Sequence, residues 1–219
     1  MRDTHNVMKH GTFVDLVSQS CGVPKKTVAL IARNLKSAGL LTTGARGVNA
    51  PEMVVMDLAR MVIALCATDR PAEVVDATKR FCAARCAKRT EFEVEGEVLA
   101  TAEEGDILED VLAGFLGMPA NALVLFPLFF AVRETQAVAE LTFQDTRVFF
   151  YEKQDESEAR DAWSVRGVRT TRDISSHSLQ EMALPFALEN ADGATWEDMV
   201  AEDRVQRLAH DQIFGGSNE

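Results

Sequence analysis

The chain has 219 residues, 47% of them hydrophobic and 26% charged, with a formal net charge of -11; this composition excludes a wholly disordered or fibrous chain and allows one large domain or two small ones. No uncharged apolar run reaches the length of a membrane span, and the most apolar window, residues 120–132, is too short and carries a proline, so it reads as buried core and no membrane partner is expected. The first residues lack the apolar centre of a secretory signal, so a cytoplasmic location is expected, with Cys21, Cys66, Cys82 and Cys86 as free thiols.

In chain order, residues 12–20 place Phe13, Leu16, Val17 and Ser20 on one helical face, with Thr12 as the N-cap. Gly22 breaks that helix, as expected where a residue must take positive φ. Pro24 suits the first turn of a second helix, predicted to run to about Ser37 and to stop at Gly39. After the loop 42–50, Asn49, Pro51 and Glu52 have the cap chemistry of a third helix, about 51–68, with Val54, Leu58, Met61 and Leu65 facing the core. A fourth helix, about 71–88, carries Val74, Val75, Thr78, Phe81 and Cys82, and the short linker before it predicts an antiparallel hairpin. Cys82 and Cys86 would share a face of it, but no histidine lies nearby, so no metal is expected.

Beyond residue 90 the pattern changes. Residues 90–101 alternate as one half-buried strand would, and 104–118 return to helical spacing with Ile107, Val111 and Leu112. Residues 137–152 read as a β-hairpin turning around Asp145 and Thr146. Residues 154–162 read as a polar loop or short helix, and 163–171 as another strand. A helix is predicted over 175–190, with Ser178 and Glu181 as a capping box and Pro185 interrupting it, and a last one over 195–214, capped by Thr195 and Asp198.

Charge is unevenly spread. Residues 1–50 carry seven basic side chains against two acids, residues 51–90 seven against five, and residues 91–219 nine against 27. Such asymmetry suggests a small polyanion-binding head on an acidic body. Around the second helix, Pro24, Val28, Ile31 and Leu35 share one face, and Lys25, Lys26, Arg33 and Lys36 lie opposite with Ala29.

A short helix, a turn containing Gly22, and a second amphipathic helix form the signature of a helix-turn-helix. The segment resembles the bacterial helix-turn-helix superfamily, whose turn glycine is followed by β-branched residues six and nine positions later. Gly22, Val28 and Ile31 meet that pattern, and Ser18 stands where the superfamily usually has alanine. Residues 35–41, "LKSAGLL", also resemble the end of the second helix in winged and repressor-type modules. The expected fold is therefore α+β and mainly helical. It has a helix-turn-helix head over 1–48, a helical hairpin over 49–90, and a mixed α/β acidic body with a β-hairpin over 91–219.

What the resemblance implies follows from groove geometry. The first turn of the second helix enters the major groove, which makes Lys25, Lys26 and Thr27 candidates for base or near-base contacts. Ala29 and Leu30 are placed to press on a thymine methyl, while Arg33 and Lys36 reach phosphates. Arg46, in the glycine-flanked loop, is a candidate for backbone or minor-groove contact. A second basic cluster, Lys79, Arg80, Arg85, Lys88 and Arg89, is expected to pair within the protein or across a subunit interface.

No nucleophile elbow, phosphate-binding glycine loop, dinucleotide fingerprint or paired-cysteine metal pattern occurs, and the many acid pairs single out no catalytic pair, so neither an enzyme nor a cofactor is expected. The expected function is sequence-specific binding of double-stranded DNA by a homo-oligomeric bacterial or prophage transcriptional regulator. The alternatives are a phage small terminase subunit, which recognises packaging sites, and a protein-interaction module that never touches nucleic acid.

Overall fold

A computed structural model describes residues 8–44, 51–94, 97–118, 128–133, 137–143, 146–151 and 171–187. Its class is mixed α+β, with six helices and seven strands among the described residues. Helices α1 (His10–Cys21) and α2 (Lys25–Ser37) are separated by Gly22, Val23 and Pro24. Gly22 caps α1 in the left-handed region at φ 63°, a conformation that costs glycine little. Pro24 is the N-cap of α2, and its carbonyl accepts the amides of Thr27 at 2.8 Å and Val28 at 3.1 Å. It lies outside the helix proper, with extended ψ, so it is exposed rather than buried beside Val28, Ile31 and Leu35.

α2 ends in a Schellman motif. Gly39 takes φ 74°, its amide donates to Lys36, and the Leu40 amide donates to Leu35 at 2.9 Å. That reversal turns Leu41 into the core and explains the phrase "LKSAGLL". α1 starts earlier than predicted: Lys9 is its N-cap and Thr12 lies inside the helix, exposed.

Helices α3 (Val55–Ala67) and α4 (Val74–Cys82) pack on each other. α3 begins at Val55, four residues after its predicted start. Its start is held by Asp57, nearly fully buried, whose carboxylate accepts the amides of Val54 at 2.9 Å and Thr42 at 2.7 Å. Val54 therefore sits before the helix and is exposed, while Leu58 and Met61 are buried as expected. Asn49, the predicted cap, lies outside the described residues. α4 stops at Cys82, and β1 (Arg85–Cys86) follows. Cys82 and Cys86 thus belong to different elements and share no helix face.

The strands β2 (Thr90–Val94) and β3 (Glu97–Ala102) form a two-stranded antiparallel sheet with a bulge after Phe92, where the sequence predicts one strand. The ring of Phe92 meets Phe115 edge-on at 4.7 Å and Phe143 at 6.1 Å, which fastens the hairpin to the main core. Phe115 comes from α5 (Leu108–Leu116), which buries Leu108, Leu112 and Leu116.

The larger sheet is fully antiparallel. It combines β1 with β4 (Leu128–Arg133), β5 (Val138–Phe143), β6 (Thr146–Tyr151) and β7 (Thr171–Ile174), in the order β1-β6-β5-β4-β7. The predicted hairpin is present, with Phe143 opposite Thr146. One face of this sheet carries Leu128, Phe130, Leu141, Val148, Phe150 and Ile174, all buried. Helices α3 and α6 (Ser176–Ala187) lie against β4.

α6 runs two residues past Pro185. Its N-cap is Ser175, whose Oγ accepts the Ser178 amide at 3.3 Å; the Ser178 hydroxyl is spent elsewhere. It donates to the Ser20 carbonyl of α1 at 2.7 Å, and Phe186 meets Phe13 edge-on at 6.4 Å. One hydrophobic core joins residues from α1 through α6, so the three segments read from sequence meet in a common interior. All four cysteines are free thiols; burial raises each of them, Cys21 to about 11. The predicted strand residues 163–170 and the predicted helix 195–214 lie outside the described residues.

Candidate nucleic-acid interface

α2 is held in place from three sides. Val28, Ile31, Ala32 and Leu35 are buried. Three such large side chains stabilise by about 1.5–3 kcal/mol each relative to exposure. At its N-terminal end the Ser18 hydroxyl donates to the Val23 carbonyl at 2.7 Å, fixing the turn from within. Near its C-terminal end the Asn34 side chain donates to the Pro71 carbonyl at 3.2 Å, tying α2 to the α3–α4 connection. Below the Schellman turn, Arg60 of α3 donates to the Leu40 carbonyl at 3.2 Å and to Glu109 of α5 at 2.7 Å. The helix is thus a rigid platform rather than a frayed surface element.

The remaining arc of α2 is cationic. Lys26 and Arg33 are exposed and, among the described residues, meet no carboxylate. Ala29 is exposed between them, and Leu30 and Thr27 are half-buried at the flank. Lys25 is exposed but committed: its ammonium pairs with the Asp15 carboxylate of α1. Lys36 is half-buried, and burial lowers its pKa from the ordinary lysine value while the Asp57 carboxylate works against that. It also lies near His10, whose pKa is lowered first by burial and then by the Lys36 charge. Arg46 lies outside the described residues. Among the sequence candidates, the described arc therefore brings together Lys26, Ala29 and Arg33, with Lys25, paired to Asp15, and the half-buried Lys36 on its edges.

Helix electrostatics make this arrangement unusual. The N-terminal turn of a helix carries partial positive charge, and a lysine there is disfavoured by about 0.3–1 kcal/mol. α2 places two lysines in that turn and no acid. Burial of the apolar face outweighs this cost, so the helix forms, but its own stability gives no reason for the lysines. An anion bound at the turn would relieve the repulsion, because the first-turn amides also carry partial positive charge.

Three residues that matter here escaped the sequence reading: Asp15, Ser18 as a hydrogen-bond donor, and Asn34. A serine where the superfamily usually has alanine was the available signal for the second. Asp15 and Asn34 gave none, because their partners are set by how α1, α2 and the α3–α4 connection meet.

The second basic cluster is dispersed. Arg89 pairs with Glu91 at 2.6 Å and Glu103 at 3.1 Å, Arg85 donates to the Gly105 carbonyl at 2.8 Å, and Arg80 lies over the Phe81 ring at 5.7 Å. Only Lys79 and Arg80 are on α4. Among the described residues, no group of three or more His, Cys, Asp or Glu side chains is placed to hold a metal ion, and no helix is long and apolar enough to cross a membrane. No protein-family model, no curated protein and no solved structure matches the chain, so the reading of this face rests on its own residues.

Proposed function

We propose that the chain binds double-stranded DNA sequence-specifically through α2, with Lys26 and Arg33 as the principal contacts, and acts as a homo-oligomeric transcriptional regulator of bacterial or prophage type. The observation that carries this reading is the exposed pair Lys26 and Arg33, which meets no carboxylate among the described residues, on a helix that is buried on its other side. The left-handed Gly22, the short turn before α2 and the exposure of Lys25 and Lys26 in its first turn support the reading. The lysines at that turn weaken the helix and strengthen phosphate binding. Lys25, paired with Asp15, and the half-buried Lys36 supply weaker charge at the flanks.

Fluorescence anisotropy with a random-sequence duplex at low salt tests the reading. Wild-type protein binds in the micromolar range, and Lys26→Ala or Arg33→Ala each reduces the salt slope by about one. Absence of binding below about 100 μM removes the proposal, because that is weaker than ordinary nonspecific association. Selection of bound fragments from genomic DNA then tests specificity: a shared palindrome is the result a two-fold dimer gives.

A further inference from the structure

Residues 188–219 follow α6 and hold eight acids against two bases, Arg204 and Arg207, a net charge of -6. The point at which they leave the fold is set by α6. Ser178 donates to Ser20, the Cys21 thiol lies 3.6 Å from the Met182 sulfur, and Phe186 meets the Phe13 ring. α6 therefore runs back along α1 and ends beside Phe13, one turn from His10. His10 lies within electrostatic range of Lys36 on α2. The acidic segment thus begins next to the same helix pair that carries the cationic arc.

Reach and charge both favour that arc as its partner. α2 has 13 residues, which is about 20 Å of helix. Thirty-two residues can reach at most about 105 Å. That reach exceeds the length of α2, whose partner α1 lies beside the end of α6. Because the segment is tethered, its docking is intramolecular, which favours it over the same contact from a second copy in dilute solution. Lys26 and Arg33 are the exposed cations of α2 that no carboxylate among the described residues neutralises.

We propose that the acidic segment 188–219 docks on the cationic face of α2 at Lys26 and Arg33 and competes there with nucleic-acid phosphate. This deepens the DNA-binding reading and rests on it for the competing ligand; the docking itself does not require DNA. A duplex must then displace the segment, so weak nonspecific sites are rejected and only strong sites are held. Screening acts on both ligands, but it acts on the duplex more steeply, because more counterions are released from it.

Carbodiimide crosslinking of the full-length protein at low salt tests the docking, with linked peptides mapped in the monomeric fraction. The expected products join Lys26 to Glu197, Asp198, Glu202 or Asp203, and they disappear at about 1 M salt, where screening is nearly complete. The Lys25–Asp15 link is the internal control. Links from these acids only to other lysines such as Lys79 or Lys88, or only between copies, overturn the proposal. In a second measurement, the full chain with Glu197→Gln, Asp198→Asn, Glu202→Gln and Asp203→Asn binds duplex about tenfold more tightly at low salt than wild type. An unchanged affinity with Lys26 links present in wild type overturns the competition. Lys26 links in a protein that binds no duplex support the docking and remove the DNA-binding reading.

Discussion

The ammonium of Lys25, at the first residue of α2, pairs with the carboxylate of Asp15, in the second turn of α1. Both side chains are substantially exposed, 64% and 43%. An exposed pair of this kind contributes at most about 1 kcal/mol to stability. Its greater effect is on charge: it neutralises one of two lysines at the end of α2 that is proposed to meet phosphate.

Asp15→Asn therefore frees Lys25. The expected result is duplex binding about three- to tenfold tighter, with a salt slope steeper by about one. Thermal stability stays within about 2 °C of wild type. Anisotropy titrations at three salt concentrations measure the slope. An unchanged slope shows that Lys25 faces away from the bound duplex.

Gly22→Ala tests the turn itself. An added Cβ meets nothing within 4 Å, so no clash contributes and only the left-handed backbone, at φ 63°, resists the substitution. The expected loss is about 1 kcal/mol, a fall in Tm of about 2–4 °C. Chemical denaturation reads this directly. A much larger loss shows that the turn is coupled to packing beyond its own backbone.

Arg60→Ala tests the support beneath the platform. Arg60 and Glu109 are 26% and 21% exposed, and removing the guanidinium strands a partly buried carboxylate and frees the Leu40 carbonyl. The expected cost is about 2–3 kcal/mol, or roughly 5–10 °C in Tm. The double variant Arg60→Ala, Glu109→Ala recovers part of it, because no unpaired charge remains. A double variant no better than the sum of the singles rules out this account.

His10 gives a pH dependence. Burial, and then the Lys36 ammonium, hold its pKa below the ordinary 6.5 in the folded chain. Above pH 6.5 the imidazole is neutral in both folded and unfolded chains. As pH falls below 6.5 the unfolded chain takes the proton first, so stability is lost until the folded-state pKa is passed. His10→Asn is expected to flatten this part of the stability profile between about pH 7 and pH 5, measured by urea unfolding. An unaltered profile assigns the dependence to other groups.

Much of the helical part is legible locally. Gly22 and Gly39 are places where a left-handed backbone is needed, and each indeed ends a helix. Val28, Ile31 and Leu35 recur at helical spacing, and each is buried. The β-hairpin around residue 145 is legible for the same reason, since strands rich in Val and Phe flank a short turn. At the start of α3 a polar side chain settled the matter from a distance. The start of α3 moved to Val55 because Asp57 takes two backbone amides, one of them from Thr42. The 90–101 alternation concealed a chain reversal, because a period of two is the same in one strand or in two.

The amphipathic shape of α2, its two glycine-bounded ends and the sign of its outer face are local properties of the sequence. These depend on residues within a few positions of one another, and on backbone limits that hold in any surroundings. The tertiary structure alone sets which of these cations meet a carboxylate among the described residues. Lys25 is paired with Asp15 and Lys36 is half-buried near Asp57, while Lys26 and Arg33 are exposed and meet none there. It also decided that α6 is fastened to α1, across 158 residues of chain between Ser20 and Ser178. Such contacts arise from the packing of a shared core, where partners are chosen by shape and by the need to satisfy buried polar groups, not by nearness in the chain.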